Sequence, residues 1–349
     1  MTTISVTVQP ERGQWDEVLA SVAAPAVNQT WEWGEAMSTI RSVRPIRLLA
    51  QHDGKPIGAL QAFEWNIGPV SMAIGSGESG DGGGPVVAGP ENERAGIATR
   101  LLEALVTEAK KRRTLKLTMY GSPEFGVDVT TPASVQVATK STPVVVLLTD
   151  VQQMLHEKVD QKTRNQIAKS AKHGVRVREG TKADLAAYRT IQKELTEKKH
   201  LHAPHLNTLR SLESLWGALA PKNMIKLWLA EKDGRVVGGA LILYAGKGLL
   251  YRSGVLTEEG RDLYAGNALQ WEIIADAIRR GYRVYNMCGG TSDPSDPLYG
   301  ITKFKLSFGG EMRPFRRYSA SGNRILRFLV YRLRRLLGKN EWFPLLIYP

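Results

Sequence analysis

The chain contains two copies of one sequence pattern, separated by 180 positions. The segment Leu49–Ala59 (LAQHDGKPIGA) recurs as Leu229–Gly239 (LAEKDGRVVGG). Each copy is followed by an Ala-Gly-x-Ala motif, which is Ala95–Ala98 (AGIA) in the first copy and Ala265–Ala268 (AGNA) in the second. A basic pair and a short apolar stretch ending in glycine then follow in both copies. Self-similarity on this scale indicates two copies of one domain rather than a stack of small repeats.

Each copy predicts a β-hairpin, then a helix, then a strand. Asp53-Gly54 and Asp233-Gly234 are strong tight-turn dipeptides, because both residue types tolerate positive φ. Apolar residues at helical spacing mark the helices. The expected strands are 46–51, 57–63, 115–119, 226–232, 236–244 and 283–287, and the expected helices are 96–113 and 265–280. We therefore expect an α/β fold with mixed sheets, with domains at 1–148 and 149–318 and a tail at 319–349.

Two segments connect these units. Residues 152–174 predict one basic helix that ends at Gly174, with a strand at 175–177. The segment 75–84 is rich in glycine, but it lacks the Gly-Lys-Ser/Thr ending of a phosphate-binding loop, and Glu78 and Asp81 would repel phosphate. We expect this segment to be a connector.

The charge of the chain is clustered. The formal net charge is +13, and from Glu311 to Pro349 nine Arg or Lys stand against two Glu. A second basic stretch runs from Lys158 to Arg178. Such clusters suit nucleic acid, phosphorylated substrates or anionic lipid, although a merely solvated surface is the alternative.

The compartment can also be predicted. No apolar run is long enough to cross a bilayer, and Met1–Ile4 begins no signal peptide. Cys288 is the one cysteine, which excludes an internal disulfide and fits a reducing compartment. A cytoplasmic location is expected. Residues 323–338 predict a basic amphipathic helix, and 342–347 add an apolar end, so the tail either lies on a membrane or packs on the first domain.

The repeated unit resembles the Gcn5-related N-acetyltransferase (GNAT) fold, in which the start of a helix binds the pyrophosphate of acyl-CoA. In that family the first motif position is Gln or Arg. Here Glu93 and Leu263 occupy it. A carboxylate is unfavourable beside pyrophosphate and a leucine cannot hydrogen-bond it, so the resemblance implies that both copies lack a good acyl-CoA site.

A larger resemblance covers nearly the whole chain. The segment Tyr299–Glu311 (YGITKFKLSFGGE) is similar to the most specific element of the FemABX family, tandem-GNAT transferases that build peptidoglycan bridges from aminoacyl-tRNA. Four further segments resemble the same family, and these are Gln29–Gly34, Gly84–Val87, Arg164–Val175 and Tyr282–Gly290. Since no coiled-coil arm interrupts the second domain, the chain resembles the compact FemX type. Met37 and Asn286 depart from the family pattern.

The resemblance implies residue roles. Lys305 would be the catalytic lysine, and Phe304 would pack against the reacting group or the tRNA end. An anionic acceptor would sit near the second helix start, contacted by Tyr251, Arg252 and Tyr264, with Trp33 from the first domain. Arg164, Lys169 and Lys172 lie at helical spacing and would hold tRNA phosphates, unless they form a solvated helix face.

The implied reaction moves an amino acid from aminoacyl-tRNA to an amino group of a lipid-linked or UDP-linked muropeptide precursor. The ester is already activated, so no nucleophilic side chain, metal or cofactor is expected. The chain is expected to act as a monomer. His200, His202 and His205 suggest a metal site only weakly, and a loop cluster is preferred. Two alternatives stay open, namely an acyl-CoA-dependent N-acyltransferase on a polysaccharide or lipid precursor, and a non-catalytic tRNA- or membrane-binding protein.

Overall fold

One continuous mixed sheet forms the centre of the protein. The computed structural model describes residues 4–23, 25–39, 43–67, 70–75, 83–121, 129–198 and 208–321. Within these ranges the strands are β1 (Ile4–Val8), β2 (Val43–His52), β3 (Lys55–Ile67), β4 (Val70–Gly75), β5 (Val86–Val87), β6 (Lys116–Tyr120), β7 (Val135–Val146), β8 (Arg176–Glu179), β9 (Ile225–Lys232), β10 (Arg235–Ala245), β11 (Gly248–Leu256), β12 (Val284–Asn286) and β13 (Gly310–Ser321).

Helices cover both faces of the sheet. They are α1 (Arg12–Ala20), α2 (Trp31–Ser38), α3 (Glu91–Lys111), α4 (Val151–Gln153), α5 (Gln161–Lys172), α6 (Leu185–Lys198), α7 (Leu209–Leu219), α8 (Glu258–Asp262), α9 (Ala265–Arg279) and α10 (Tyr299–Leu306). The predicted α/β class is confirmed. In the part of the chain that the structure describes, no helix has both the length and the apolar character needed to cross a membrane.

Both predicted hairpins are present. In the β2–β3 turn and in the β9–β10 turn, the Asp and the Gly both have positive φ. That backbone matches the right-handed twist of the flanking strands, and it explains why Asp-Gly stands at the same place in both copies. The strands predicted directly after the two repeat helices, 115–119 and 283–287, also match β6 and β12.

The two predicted repeat helices differ in where they begin. The second begins at Ala265 as expected, because Tyr264 adopts the left-handed conformation and separates α8 from α9. The first was predicted to begin at Gly96, which is wrong, since α3 begins at Glu91 directly after Pro90. Acidic side chains in the first turn favour this earlier start, because they complement the positive end of the helix dipole.

The predicted single helix over 152–174 is also wrong. A turn of π-helix over 154–158 follows α4, and the chain then becomes extended at Val159 before α5 begins. The break is held from outside the segment, because the Asp160 amide donates to the Ser307 carbonyl at 2.9 Å. The expected end at Gly174 is confirmed, with a φ of +78°.

The sheet exchanges strands between the two halves of the chain, which we define as the described residues before and after position 148. The order along the sheet is β1-β2-β3-β4-β6-β13-β7-β12-β11-β10-β9-β8. The late strand β13 is therefore inserted between β6 and β7 of the first half, and β7 pairs with β12 of the second half. The domain boundary near residue 148 stays a prediction, and the predicted tail helix over 323–338 lies outside the described residues.

A shared hydrophobic core joins the halves on one face of the sheet. Helix α2 of the first half packs against α7 of the second, and the buried side chains of this core come from both halves. Among them are Trp33, Met37, Phe63, Tyr188, Leu215, Leu241 and Cys288. On the opposite face, α5 packs across α9 above a second core.

Candidate functional site

Lys305 is buried, although a lysine in this sequence context would ordinarily be a surface residue. It lies on α10 and only 7% of it is exposed. Its Nζ donates to the carbonyl oxygen of Cys288, and to that of Gly289 at 2.7 Å. A buried charge is tolerated only where hydrogen bonds replace its hydration. The two carbonyl oxygens provide that replacement.

These carbonyls belong to an unusual turn, residues 287–290, that follows β12. Cys288 and Gly289 both have positive φ, at 51° and 42°. For a non-glycine residue this conformation costs about 1–2 kcal/mol, and it persists only where the surroundings fix it. The Cys288 amide donates to the side chain of Asn286 at 2.9 Å, and the Met287 amide donates to the Pro143 carbonyl at 3.0 Å. The turn is therefore held by β12 itself and by the neighbouring strand β7.

Tyr251 forms one wall beside this lysine. The Lys305 ammonium lies 5.7 Å from the centroid of the Tyr251 ring, within the range of a cation–π contact. Burial raises the pKa of Tyr251 well above its usual value, and a hydrogen bond with Gln270 only partly offsets this. The phenol, which is neutral at physiological pH even without this shift, offers its ring to the cation.

Phe304 connects the lysine to the start of α9. Its ring meets Phe308 edge-on at 5.3 Å, and Phe308 is fully buried whereas Phe304 is half-buried. A methyl group added at Gly266 would lie 3.6 Å from Cζ of Phe304. Tyr264 begins the same helix, and the Lys169 ammonium lies 6.0 Å from its ring. Lys169 thus lies beside Tyr264, and Phe304 lies beside Gly266 in the first turn of the same helix.

Arg252 and Trp33 form a separate pair on the other face of β11. Arg252 is the extra residue of a β-bulge, because Leu241 pairs with Ser253 and Ile242 pairs with Tyr251. A bulge re-aims a side chain, and bulges are common next to functional sites. The Arg252 guanidinium lies 5.7 Å from the Trp33 ring. This pair joins α2 of the first half to β11 of the second.

The tRNA residues expected on α5 occupy different environments. Arg164 Nη1 lies within hydrogen-bonding distance of the carbonyls of Leu155 and His156 in the preceding π-helical turn and of Val159 directly after it, the shortest distance being 2.5 Å to Val159. This contact fixes the helix break described above. Lys169 and Lys172 are exposed. Two of the three predicted cations, Lys169 and Lys172, are therefore exposed to solvent, and the third, Arg164, binds backbone carbonyls.

Sequence reasoning missed two groups in this region. Asn286 was treated as a departure from a family pattern, yet its side chain holds the turn that binds Lys305. Arg189 on α6 was not considered. Its Nη1 is buried, as is Nε1 of Trp33, and neither has a hydrogen-bond partner among the described residues. Periodicity alone predicts α6 as a packing helix, so no signal marked Arg189.

Metal binding was predicted to be absent. Among the described residues, no group of three or more His, Cys, Asp or Glu is arranged to hold a metal ion. The histidines at 200, 202 and 205 lie outside the described residues, so their predicted loop cluster stays a prediction.

Comparisons with known proteins give relatives for both the sequence and the fold. Residues 157–296 match the acetyltransferase (GNAT) domain model. A lipid II:glycine glycyltransferase from Staphylococcus epidermidis is 26% identical over 140 residues, which are 38% of this chain and 32% of that protein. The match thus spans about a third of the relative's length.

Two solved structures match the whole architecture. FemX matches with a TM-score of 0.72 at 15% identity, over 94% of this chain and 99% of that one. A tandem GNAT protein from the clavulanic acid biosynthesis pathway matches with a TM-score of 0.52 at 12% identity, over 91% of this chain and 99% of that one. The chain therefore has the fold of the FemABX family, with two GNAT-like halves in tandem.

Proposed function

We propose that this protein is an aminoacyltransferase that moves an amino acid from aminoacyl-tRNA to an amino group in the stem peptide of a peptidoglycan precursor. The observation that carries the proposal is the buried Lys305 ammonium, held by the carbonyls of Cys288 and Gly289 next to the ring of Tyr251. The likeness to FemX and to a lipid II:glycine glycyltransferase supports the substrate class.

The reaction requires positioning more than activation. The acceptor amine attacks the carbonyl carbon of the ester, so that a C–N bond forms and the C–O bond to the ribose breaks. The proton lost by the amine ends on the departing ribose hydroxyl. Negative charge develops on the carbonyl oxygen in between, and a fixed ammonium in a site of low dielectric stabilises that charge without reorganisation. Lys305 supplies this ammonium in our proposal.

The two substrates would approach from different elements. On the donor side, Lys169 and Lys172 provide exposed positive charge for tRNA phosphates, and the Lys169 ammonium lies 6.0 Å from the ring of Tyr264. On the acceptor side, Arg252 and Trp33 lie where α2 meets β11. An anionic group there would also satisfy the buried donor Nε1 of Trp33. The acceptor would be a lipid-linked or UDP-linked muropeptide, and the enzyme would act as a cytoplasmic monomer, with residues 323–347 available for peripheral membrane contact.

The test is transfer of labelled amino acid from charged tRNA to a muropeptide precursor by the purified protein. Lys305→Met should lower the transfer rate by about 100- to 1,000-fold, the usual cost of removing one electrostatic stabiliser of an oxyanion. The matched control is Lys303→Met, because Lys303 is exposed on the same helix, 5.4 Å from the ring of Tyr299. Undiminished transfer by Lys305→Met, with both proteins folded, would contradict the proposed role.

An acyl-CoA-dependent N-acyltransferase is the second candidate, and one observation favours it. The GNAT match includes α9, which begins sharply at Ala265, so the positive end of its helix dipole lies at that residue and favours a phosphate there. Thermal-shift titration separates the two. A shift with acetyl-CoA and none with charged tRNA favours this second candidate, whereas the reverse favours aminoacyl transfer. A purely binding protein would keep its tRNA affinity and its cellular phenotype in Lys305→Met.

A further inference from the structure

We propose that Asn286 is a positioning residue for Lys305, acting through the turn at 287–290 rather than by contact with substrate. Its side chain fixes the left-handed conformation of Cys288, and that conformation aims two carbonyl oxygens at the lysine ammonium. The kinetic part of this proposal rests on the proposed function, whereas the geometric part stands on the lysine's environment alone.

Asn286 is a rigid support. It lies at the end of β12, only 1% of it is exposed, and its strand pairs with Leu250 on one side and Val144 on the other. The orientation of its amide follows from chemistry, because the Cys288 N–H can donate only to an oxygen. The side-chain oxygen thus accepts this bond at 2.9 Å. An Asx-type bond to the backbone two residues on is a standard way to hold a tight turn.

The far end of the same turn is held by the helix that carries the lysine. Thr302 lies one helical turn before Lys305 on α10 and is almost fully buried. Its hydroxyl accepts from the Thr291 amide at 2.9 Å. Asn286 and Thr302 therefore hold the two ends of the segment whose middle carbonyls bind the ammonium.

Without this support the turn has a more relaxed alternative. Cys288 is not a glycine, so an unconstrained Cys288 would leave positive φ and take its carbonyl away from Lys305. The lysine would then lose the Cys288 carbonyl as a partner, and its ammonium would no longer be fixed relative to Tyr251. A displacement of about 1 Å at a reacting group can cost a factor of about 100 in rate.

Three substitutions test this. Asn286→Leu keeps the volume and removes the acceptor, Asn286→Asp keeps an acceptor oxygen, and Thr302→Val removes the second anchor with little change of shape. Thr114→Val is the matched control, since Thr114 is a fully buried threonine whose hydroxyl bonds the Ala109 carbonyl at the end of α3 in the first half.

The first readout is kinetic. In Asn286→Leu we expect kcat for transfer to fall by about 10- to 100-fold while KM changes less than about twofold, because the reacting geometry is lost and the substrate contacts are kept. Asn286→Asp should recover most of this loss. Thr302→Val should move kcat in the same direction, and Thr114→Val should leave it unchanged. A kcat in Asn286→Leu equal to that of the parent would overturn the proposal.

The second readout does not depend on the reaction. Reductive methylation with formaldehyde and a borane reagent, followed by peptide mass spectrometry, measures how fast each lysine amine reacts. Lys226 is an internal reference, because it is 6% exposed and bonded to Glu179 at 2.7 Å. In Asn286→Leu the ratio of the Lys305 rate to the Lys226 rate should rise at least about fivefold.

An unchanged ratio would overturn the proposal, and so would an equal rise at both lysines, since that reports general loosening of the fold. If the parent protein shows no transfer at all, the proposed function fails, and the labelling ratio still decides whether Asn286 positions Lys305.

Discussion

Replacement of Gln61 by leucine should be among the most destabilising substitutions in the first half. Gln61 is fully buried on β3 and its side chain makes three hydrogen bonds. Its Oε1 accepts from Nε of Arg47 at 2.9 Å, and its Nε2 donates to the carbonyls of Asn28 and Thr30 at 3.1 Å each. These bonds fix the start of α2, the helix that carries Trp33 to the second half.

The expected loss of stability follows from the polar groups that lose a hydrogen-bond partner in Gln61→Leu. Leucine occupies a similar volume, so the main cost is one buried guanidinium N–H and two carbonyls that lose a partner. A buried polar group left unsatisfied costs about 1–3 kcal/mol. Because the Thr30 carbonyl keeps a bond from the Gly34 amide and leucine adds apolar contact, we expect a loss of about 3–5 kcal/mol. Typical proteins have only about 5–15 kcal/mol of stability in total.

The assay is urea unfolding followed by tryptophan fluorescence. Trp31 is a local reporter, since the Arg47 guanidinium lies 3.7 Å from its ring centroid. Gln51→Leu is the control, because Gln51 lies on the neighbouring strand and makes its hydrogen bonds at the surface. The control should lose less than about 1 kcal/mol. If the free energies of unfolding of Gln61→Leu and Gln51→Leu differ by less than about 1 kcal/mol, the reasoning from buried hydrogen bonds is refuted.

Two further predictions concern stability. Hydrogen bonds from Arg178 hold the pKa of Asp184 well below its usual value. The carboxylate therefore stabilises the fold above about pH 4, and this stabilisation is lost as the pH falls. Asp184→Asn should lower the melting temperature at pH 7, and the melting temperatures of the variant and the parent protein should converge in acid. Gly309 has a φ of +83°, and an added methyl would lie 2.7 Å from Cβ of Lys158; Gly309→Ala should lower the melting temperature by several degrees, whereas Gly13→Ala, where nothing lies within 4 Å, should not.

The sequence predicted those features of the fold that depend on local chemistry. The two Asp-Gly turns require only positive φ at neighbouring residues, so both hairpins follow from four residues. The break before α5 is held locally by Arg164 and also by a bond from Asp160 to Ser307, which is 147 positions away and is not encoded in any local pattern. Likewise, β13 lies between β6 and β7, and the repeated sequence pattern does not predict with which strands it pairs.

The same distinction between local and tertiary information applies to the candidate site. A resemblance indicated Lys305, but the sequence around it does not distinguish a buried lysine from a surface one. Its burial comes from the left-handed turn at Cys288, and that turn depends on Asn286, which is 19 positions earlier in the chain. The functional environment of this lysine is therefore a tertiary property, although the lysine itself belongs to a short motif.

The different starts of the two repeat helices explain how one fold came to hold two unequal halves. In the first copy the Ala-Gly-x-Ala motif lies inside α3. Glu91 and Glu93 occupy the first turn of that helix, and their negative charge repels an anion from the positive end of the helix dipole. In the second copy the same motif begins α9 at Ala265, beside Phe304. An anionic substrate group near a helix start is thus compatible with the second copy and not with the first. The first half instead contributes α2 and Trp33, which lie against the bulged Arg252 and form the acceptor side in the function proposed above.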